Sequence, residues 1–132
     1  MFLQGFNYQE KNAFYSMAYC LIAADGVVLE SESSLLEQFL DEMRLQPMDV
    51  QVVPLANAID AMRSSNVTTK RQAFIELVGL GLCDEEIANE ENQVLQTIAD
   101  AFGFSSTETA DLTNCVYELI EVYNKMGRLI NK

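Results

Sequence analysis

Histidine and tryptophan are absent from the 132 residues, and bases are scarce, with eight Lys and Arg against twenty Asp and Glu, a net charge of −12. Without histidine the usual general base and zinc ligand are missing. Without tryptophan a sugar-stacking platform loses its best residue. So few bases exclude a phosphate-binding surface of the kind nucleic acid requires, so no nucleic-acid partner is expected. The excess acid suits cations or basic protein surfaces. It is also evenly spread, with nine acids and three bases in residues 1–66 and eleven and five in residues 67–132, so neither end is an acidic tail. Only two prolines and six glycines occur, which disfavours a disordered chain. No apolar run approaches the roughly 18 residues of a membrane span, and the first residues lack the basic region of a signal peptide. The three cysteines, Cys20, Cys83 and Cys115, form no CxxC pair and sit in apolar stretches, so they read as buried reduced thiols of a cytoplasmic protein.

What is present is helical periodicity. Phe14, Met17, Ala18, Leu21 and Ile22 mark a first helix over about 8–24 that Gly26 ends, and Leu35, Leu36, Phe39, Leu40 and Met43 mark a second. The second could be capped by Glu30 or Ser31 or by a later box at Ser34 to Glu37, and the earlier start is preferred because Asn89 would cap its later counterpart. A linker over 45–53 holds Pro47, and Pro54 suits the first turn of a third helix bearing Leu55, Ala58, Ile59 and Met62. A fourth helix from Thr68 or Thr69 carries Ala73, Phe74, Leu77, Val78 and Leu82, and a fifth over about 90–102 ends at Gly103. Ser105 to Glu108 forms a capping box for the last helix, with the stripe Leu112, Val116, Leu119, Tyr123 and Met126 and a stop at Gly127. Tyr15, Tyr19, Tyr117 and Tyr123 read as half-buried edges of the core. No strand pattern appears. The expectation is one all-α domain over residues 1–132, a bundle of about six to seven helices.

The turn between the first and second helices and the turn between the fourth and fifth are alike. Asp25 to Glu32 (DGVVLESE) is followed 59 residues later by Asp84 to Glu91 (DEEIANEE). Each opens with Asp, places an aliphatic residue three positions on (Val28, Ile87) and closes with Glu. An internal pseudo-two-fold repeat of helix–acidic turn–helix units follows as an expectation. Asp–Gly forms side-chain-to-backbone turns, and acids in a first helical turn are favoured by about 0.3–1 kcal/mol, so capping alone explains much of the pattern. Asp25 and Asp84, however, stand at helix C-termini, where a carboxylate is disfavoured. Asp84, Glu85, Glu86, Glu90 and Glu91 crowd into eight residues without a base. A hard divalent cation, Ca²⁺ or Mg²⁺, would relieve that crowding. Asp25 with Glu32 would form one ligand set, and Asp84 with Glu90 and Glu91 the other. Gly26, Val28 and Glu32 match the spacing of an EF-hand loop, but Leu21 and Ala23 fall where that loop needs oxygen donors, so neither turn is an EF-hand.

The segment AADGVVLESE at 23–32, leading into Leu35, Leu36 and a helix ending at Met43, resembles the signature of the TerB-like (tellurite resistance) family. CDEEIANEENQVLQTIADAFGF at 83–104 resembles the second half of the same pattern, and the likeness spans roughly residues 10–127. The module is also similar to a domain of some membrane-anchored DnaJ-like co-chaperones. The resemblance implies an all-helical fold with internal pseudo-symmetry, divalent-metal binding at Asp25, Glu32, Asp84 and Glu91, a part in chemical-stress response, and no established reaction. Glu85 replaces the equivalent of Gly26 and Cys83 that of Ala24, which sets the second turn apart.

Three functions compete. The first is a non-enzymatic cytoplasmic acidic module that binds a divalent ion at the two turns and signals to a protein partner. The second is a metal-free protein-interaction module whose acidic turns are helix caps. The third, a carboxylate-pair enzyme, is the weakest, because the chain has no nucleophile elbow and no phosphate loop.

Overall fold

Asn7 opens the first long helix. Its Oδ1 accepts the Glu10 N–H at 2.8 Å, and the Glu10 carboxylate accepts the Asn7 N–H at 3.0 Å, a complete capping box. In this computed structural model, which describes residues 1–83 and 86–132, α1 runs Tyr8–Ile22, α2 Glu30–Met43, α3 Leu55–Met62, α4 Val67–Gly81, α5 Asn89–Ala101 and α6 Ser106–Ile130. One-turn 3-10 helices occupy Leu3–Gly5 and Pro47–Asp49. No strand occurs among the described residues, so the all-α expectation holds.

α1 is the central helix and packs against α2, α3, α4 and α5, while α4 packs against α1, α5 and α6. The helical stripes read from the sequence meet in one core. Phe14, Met17, Leu21, Phe74, Leu77, Leu80 and Ile98 are all inaccessible or nearly so. Phe14 joins three elements, lying edge-on to Phe6 at 6.0 Å and to Phe39 of α2 at 5.1 Å between centroids. Phe74 stacks edge-on with Phe104 at 5.5 Å on the other side. The linker after α2 is pinned to α1. The Asn12 amide donates to Gln51 O (3.0 Å) and accepts the Gln51 N–H (2.8 Å), and the buried Ser16 Oγ accepts the Val53 N–H.

Local features recur 59 residues apart well beyond the acidic turns. Asn66 caps α4 as Asn7 caps α1, with its Oδ1 accepting the Thr69 N–H at 2.8 Å. α1 and α4 begin and end at equivalent positions, as do the starts of α2 and α5. At the ends of α2 and α5, Arg44 (φ 59°) and Gly103 (φ 80°) both take the left-handed conformation. The amides that follow bond back in the same way, Leu45 N–H to Leu40 O and Phe104 N–H to Ala99 O. A side chain in that conformation costs about 1–2 kcal/mol, which glycine avoids. Arg44→Gly is therefore expected to raise stability by about 0.5–1 kcal/mol and Gly103→Ala to lower it, both read from urea melts.

Several boundaries differ from the sequence expectation. α1 stops at Ile22 and residues 23–25 form a turn, with Gly26 at φ 78°. α2 is capped by neither Glu30 nor Ser31, since its N-cap is Leu29, and Asn89 is the first residue of α5, not its cap. Pro54 sits one place outside α3, and α4 starts at Val67 with Asn66 as its cap, ahead of the expected start at Thr68 or Thr69. α6 runs straight through Gly127, whose backbone stays helical. Leu119, Tyr123 and Met126, expected along the apolar stripe of the last helix, are 38, 61 and 44 % exposed, and Leu119 and Tyr123 border an open hollow with Leu35 and Phe39 of α2 and Ile75 of α4. Tyr19 and Tyr117 are likewise exposed, leaving Tyr15 as the tyrosine packed against the core. None of the cysteines is fully buried, and Cys115 is exposed.

Candidate acidic site

Each acidic turn delivers its closing glutamate to the start of the next helix. Leu29 and Ala88, the N-cap residues of α2 and α5, have no side-chain acceptor to offer. Instead the carboxylates three residues on reach back, Glu32 Oε1 accepting the Leu29 N–H at 2.9 Å and Glu91 Oε1 accepting the Ala88 N–H at 3.1 Å. This is the return half of a capping box, and the carboxylate also faces the positive end of the helix dipole. Both are buried, Glu32 at 4 % and Glu91 at 3 % exposure. An acid this far from water needs such a partner, because burying it unbonded would be prohibitive.

Asp25 closes its own loop, its Oδ1 accepting the Val27 N–H at 3.0 Å, the side-chain turn that Asp–Gly favours. Glu90 is exposed and lines an open cleft of about 390 Å³ with Cys20, Ala24, Leu55 and Val94. Asp84 lies outside the described residues. Burial raises the Cys20 thiol above its ordinary range, which makes it a poor nucleophile.

The turns are not copies in their packing. Val28 is 49 % exposed, whereas Ile87 packs against the core. The difference traces to the preceding helix. A Cβ on Gly81 would lie 3.5 Å from the Ile87 side chain, and the equivalent position in α1 is the bulky, buried Ile22. The turns do meet at one point, with Cys83 Sγ 3.8 Å from Ser31 Oγ.

Carboxylate oxygens are the right donors for Ca²⁺ or Mg²⁺. Among the described residues, however, no three acidic or sulfur side chains converge as a metal would need. Asp25, Glu32 and Glu91 each have one oxygen already engaged by a backbone N–H of their own turn.

Sequence reasoning missed a second pair of carboxylates. Glu42 Oε2 accepts the Leu3 N–H (2.9 Å), and Glu76, 9 % exposed in the middle of α4, accepts the Phe2 N–H (3.0 Å). Their other contacts hold the Met1 amine, Glu42 at 2.5 Å and Glu76 at 2.9 Å. Partial burial pulls the pKa of that amine down, but the hydrogen bonds and charges of Glu42 and Glu76 outweigh it and leave the pKa raised. The available signal was an acid placed among Phe74, Leu77 and Leu80 on the buried side of a helix.

No helix among the described residues is long and apolar enough to cross a membrane. No protein-family model, curated protein or solved structure matches the chain.

Proposed function

We propose that this chain is a non-enzymatic helical docking module of the TerB-like kind, in which the acidic turns start helices and α6 receives a protein partner. The observation that carries this reading is the uncovered second half of α6. Between Tyr117 and Ile130 seven large apolar side chains are exposed, out of seventeen such residues in the whole described chain. Single exposed apolar residues are ordinary, whereas a contiguous set on one helix marks a contact surface. Around it the fold is anchored by carboxylates with backbone partners, which gives Asp25, Glu32 and Glu91 a role without a ligand. The recurrence at 59 residues supports an internal duplication related by a pseudo-two-fold axis. A cytoplasmic setting and a link to chemical stress belong to the same proposal and rest on the resemblance alone.

A second reading, a divalent cation shared by the two turns, is favoured by the Ser31–Cys83 contact, which brings the turns together at one point. The docking reading is tested by affinity capture with the wild-type chain and with Met126→Glu. A partner retained by the first and lost by the second is expected. An identical set of proteins on both would overturn it.

A further inference from the structure

We propose that the occupant of the α6 face is a second copy of this chain, its α6 running antiparallel to the first. This inference rests on the docking reading above and names its partner. Cys115, Leu119, Val122, Met126 and Leu129 recur at intervals of four, three, four and three, the spacing of a coiled-coil seam. The stripe lies beside the face that holds α6 to the body, where Val116 is buried and Ile120 half-buried. Leu119, Val122, Met126 and Leu129 are 38, 51, 44 and 61 % exposed, so the seam is formed and unused. From residue 117 to 130 it extends about 20 Å. A helix end with so little tertiary cover is marginal in water, and pairing would supply the missing burial.

The charges select the partner and its direction. One flank of the seam carries Asp111, Glu118, Lys125 and Lys132 at intervals of seven, two acids followed by two bases. Laid antiparallel on itself, this order sets Glu118 near Lys125 of the second copy and Asp111 near its Lys132, with both pairs repeated by symmetry. In a parallel pair the same flank would lie against Val116, Tyr123 and Ile130 of the second copy, which carry no charge to meet it. The local balance points the same way. Residues 111–132 hold three acids and three bases, while the other 110 residues hold seventeen and five. A self-contact elsewhere on so acidic a surface would be repelled, and here it is not.

Sedimentation equilibrium of the full chain from about 1 to 100 µM is the test, spanning ordinary dimer affinities. The wild type is expected to form a dimer. Val122→Glu should abolish it without altering helicity by circular dichroism, since position 122 is exposed in the single chain. Lys125→Glu should weaken the dimer roughly tenfold or more, and Glu118→Lys combined with Lys125→Glu should restore it. A wild type that stays monomeric overturns the inference, as does a dimer indifferent to both Val122→Glu and Lys125→Glu. In the monomeric case the dye ANS separates the two proposals. Binding by the wild type that Val122→Glu removes leaves the face open to another partner. Absence of binding to either removes the docking reading as well.

Discussion

Phe14→Ala is expected to lower the free energy of unfolding by about 3–5 kcal/mol, the largest loss of any single truncation considered for this fold. The ring is fully buried on α1, the helix against which α2, α3, α4 and α5 all pack, and it meets Phe6 and Phe39 edge to face. Removing it forfeits the transfer of the ring from water, leaves a cavity between three elements, and ends two aromatic pairs worth about 0.5–1.5 kcal/mol each beyond their area. For a domain whose whole stability is on the order of 5–15 kcal/mol, the variant would be partly unfolded at ordinary temperature. A urea melt checks this directly. A loss under about 1 kcal/mol would mean that α1 is not the centre of the bundle.

Glu32→Ala is expected to cost about 1–3 kcal/mol, roughly 4 °C in melting temperature per kcal/mol for a chain of this size. The truncation leaves the Leu29 N–H without its carboxylate acceptor at the buried start of α2 and removes the negative charge that the helix dipole favours there. Glu91→Ala should cost a similar amount for the same reason at Ala88, and the two losses should add, because each carboxylate starts a different helix. Glu32→Gln should differ from both. A glutamine oxygen can accept the same N–H, so the helix start survives, and this variant is expected to melt close to the wild type. If Glu32→Ala and Glu32→Gln were equally damaging, the negative charge and not the hydrogen bond would be what matters at that position.

The helical core was legible because its signal is repeated. Each of the first four stripes contains four or more apolar residues at helical spacing, and most of those residues are buried. The same spacing misled on α6, where Leu119, Tyr123 and Met126 continue a stripe that the other helices leave partly open. Periodicity reports that a face is apolar, and the tertiary packing decides whether it is covered. Caps were read less well. Asn7 and Asn66 fit the usual chemistry, but α2 and α5 begin at Leu29 and Ala88, residues with no capping side chain, so a search for an N-cap settles on the nearest polar residue. The acidic turns were found at once, yet their role was open in sequence, since a carboxylate awaiting a cation and one bonded to a backbone amide have the same letter. Glu42 and Glu76 passed unnoticed because their partners are the backbone amides of residues 2 and 3, more than 35 positions away in the chain.

Thermal melting of the wild type and of Glu32→Gln, each in chelator and in millimolar Ca²⁺ or Mg²⁺, tests most directly whether the acidic turns are helix starts or ligands. The helix-start account expects four melting temperatures that agree closely, with no dependence on the ion in either protein. A bound ion at a hundredfold excess over its Kd would add about 2.7 kcal/mol to the wild type. A rise of several degrees with Ca²⁺ or Mg²⁺ that Glu32→Gln abolishes would contradict the account.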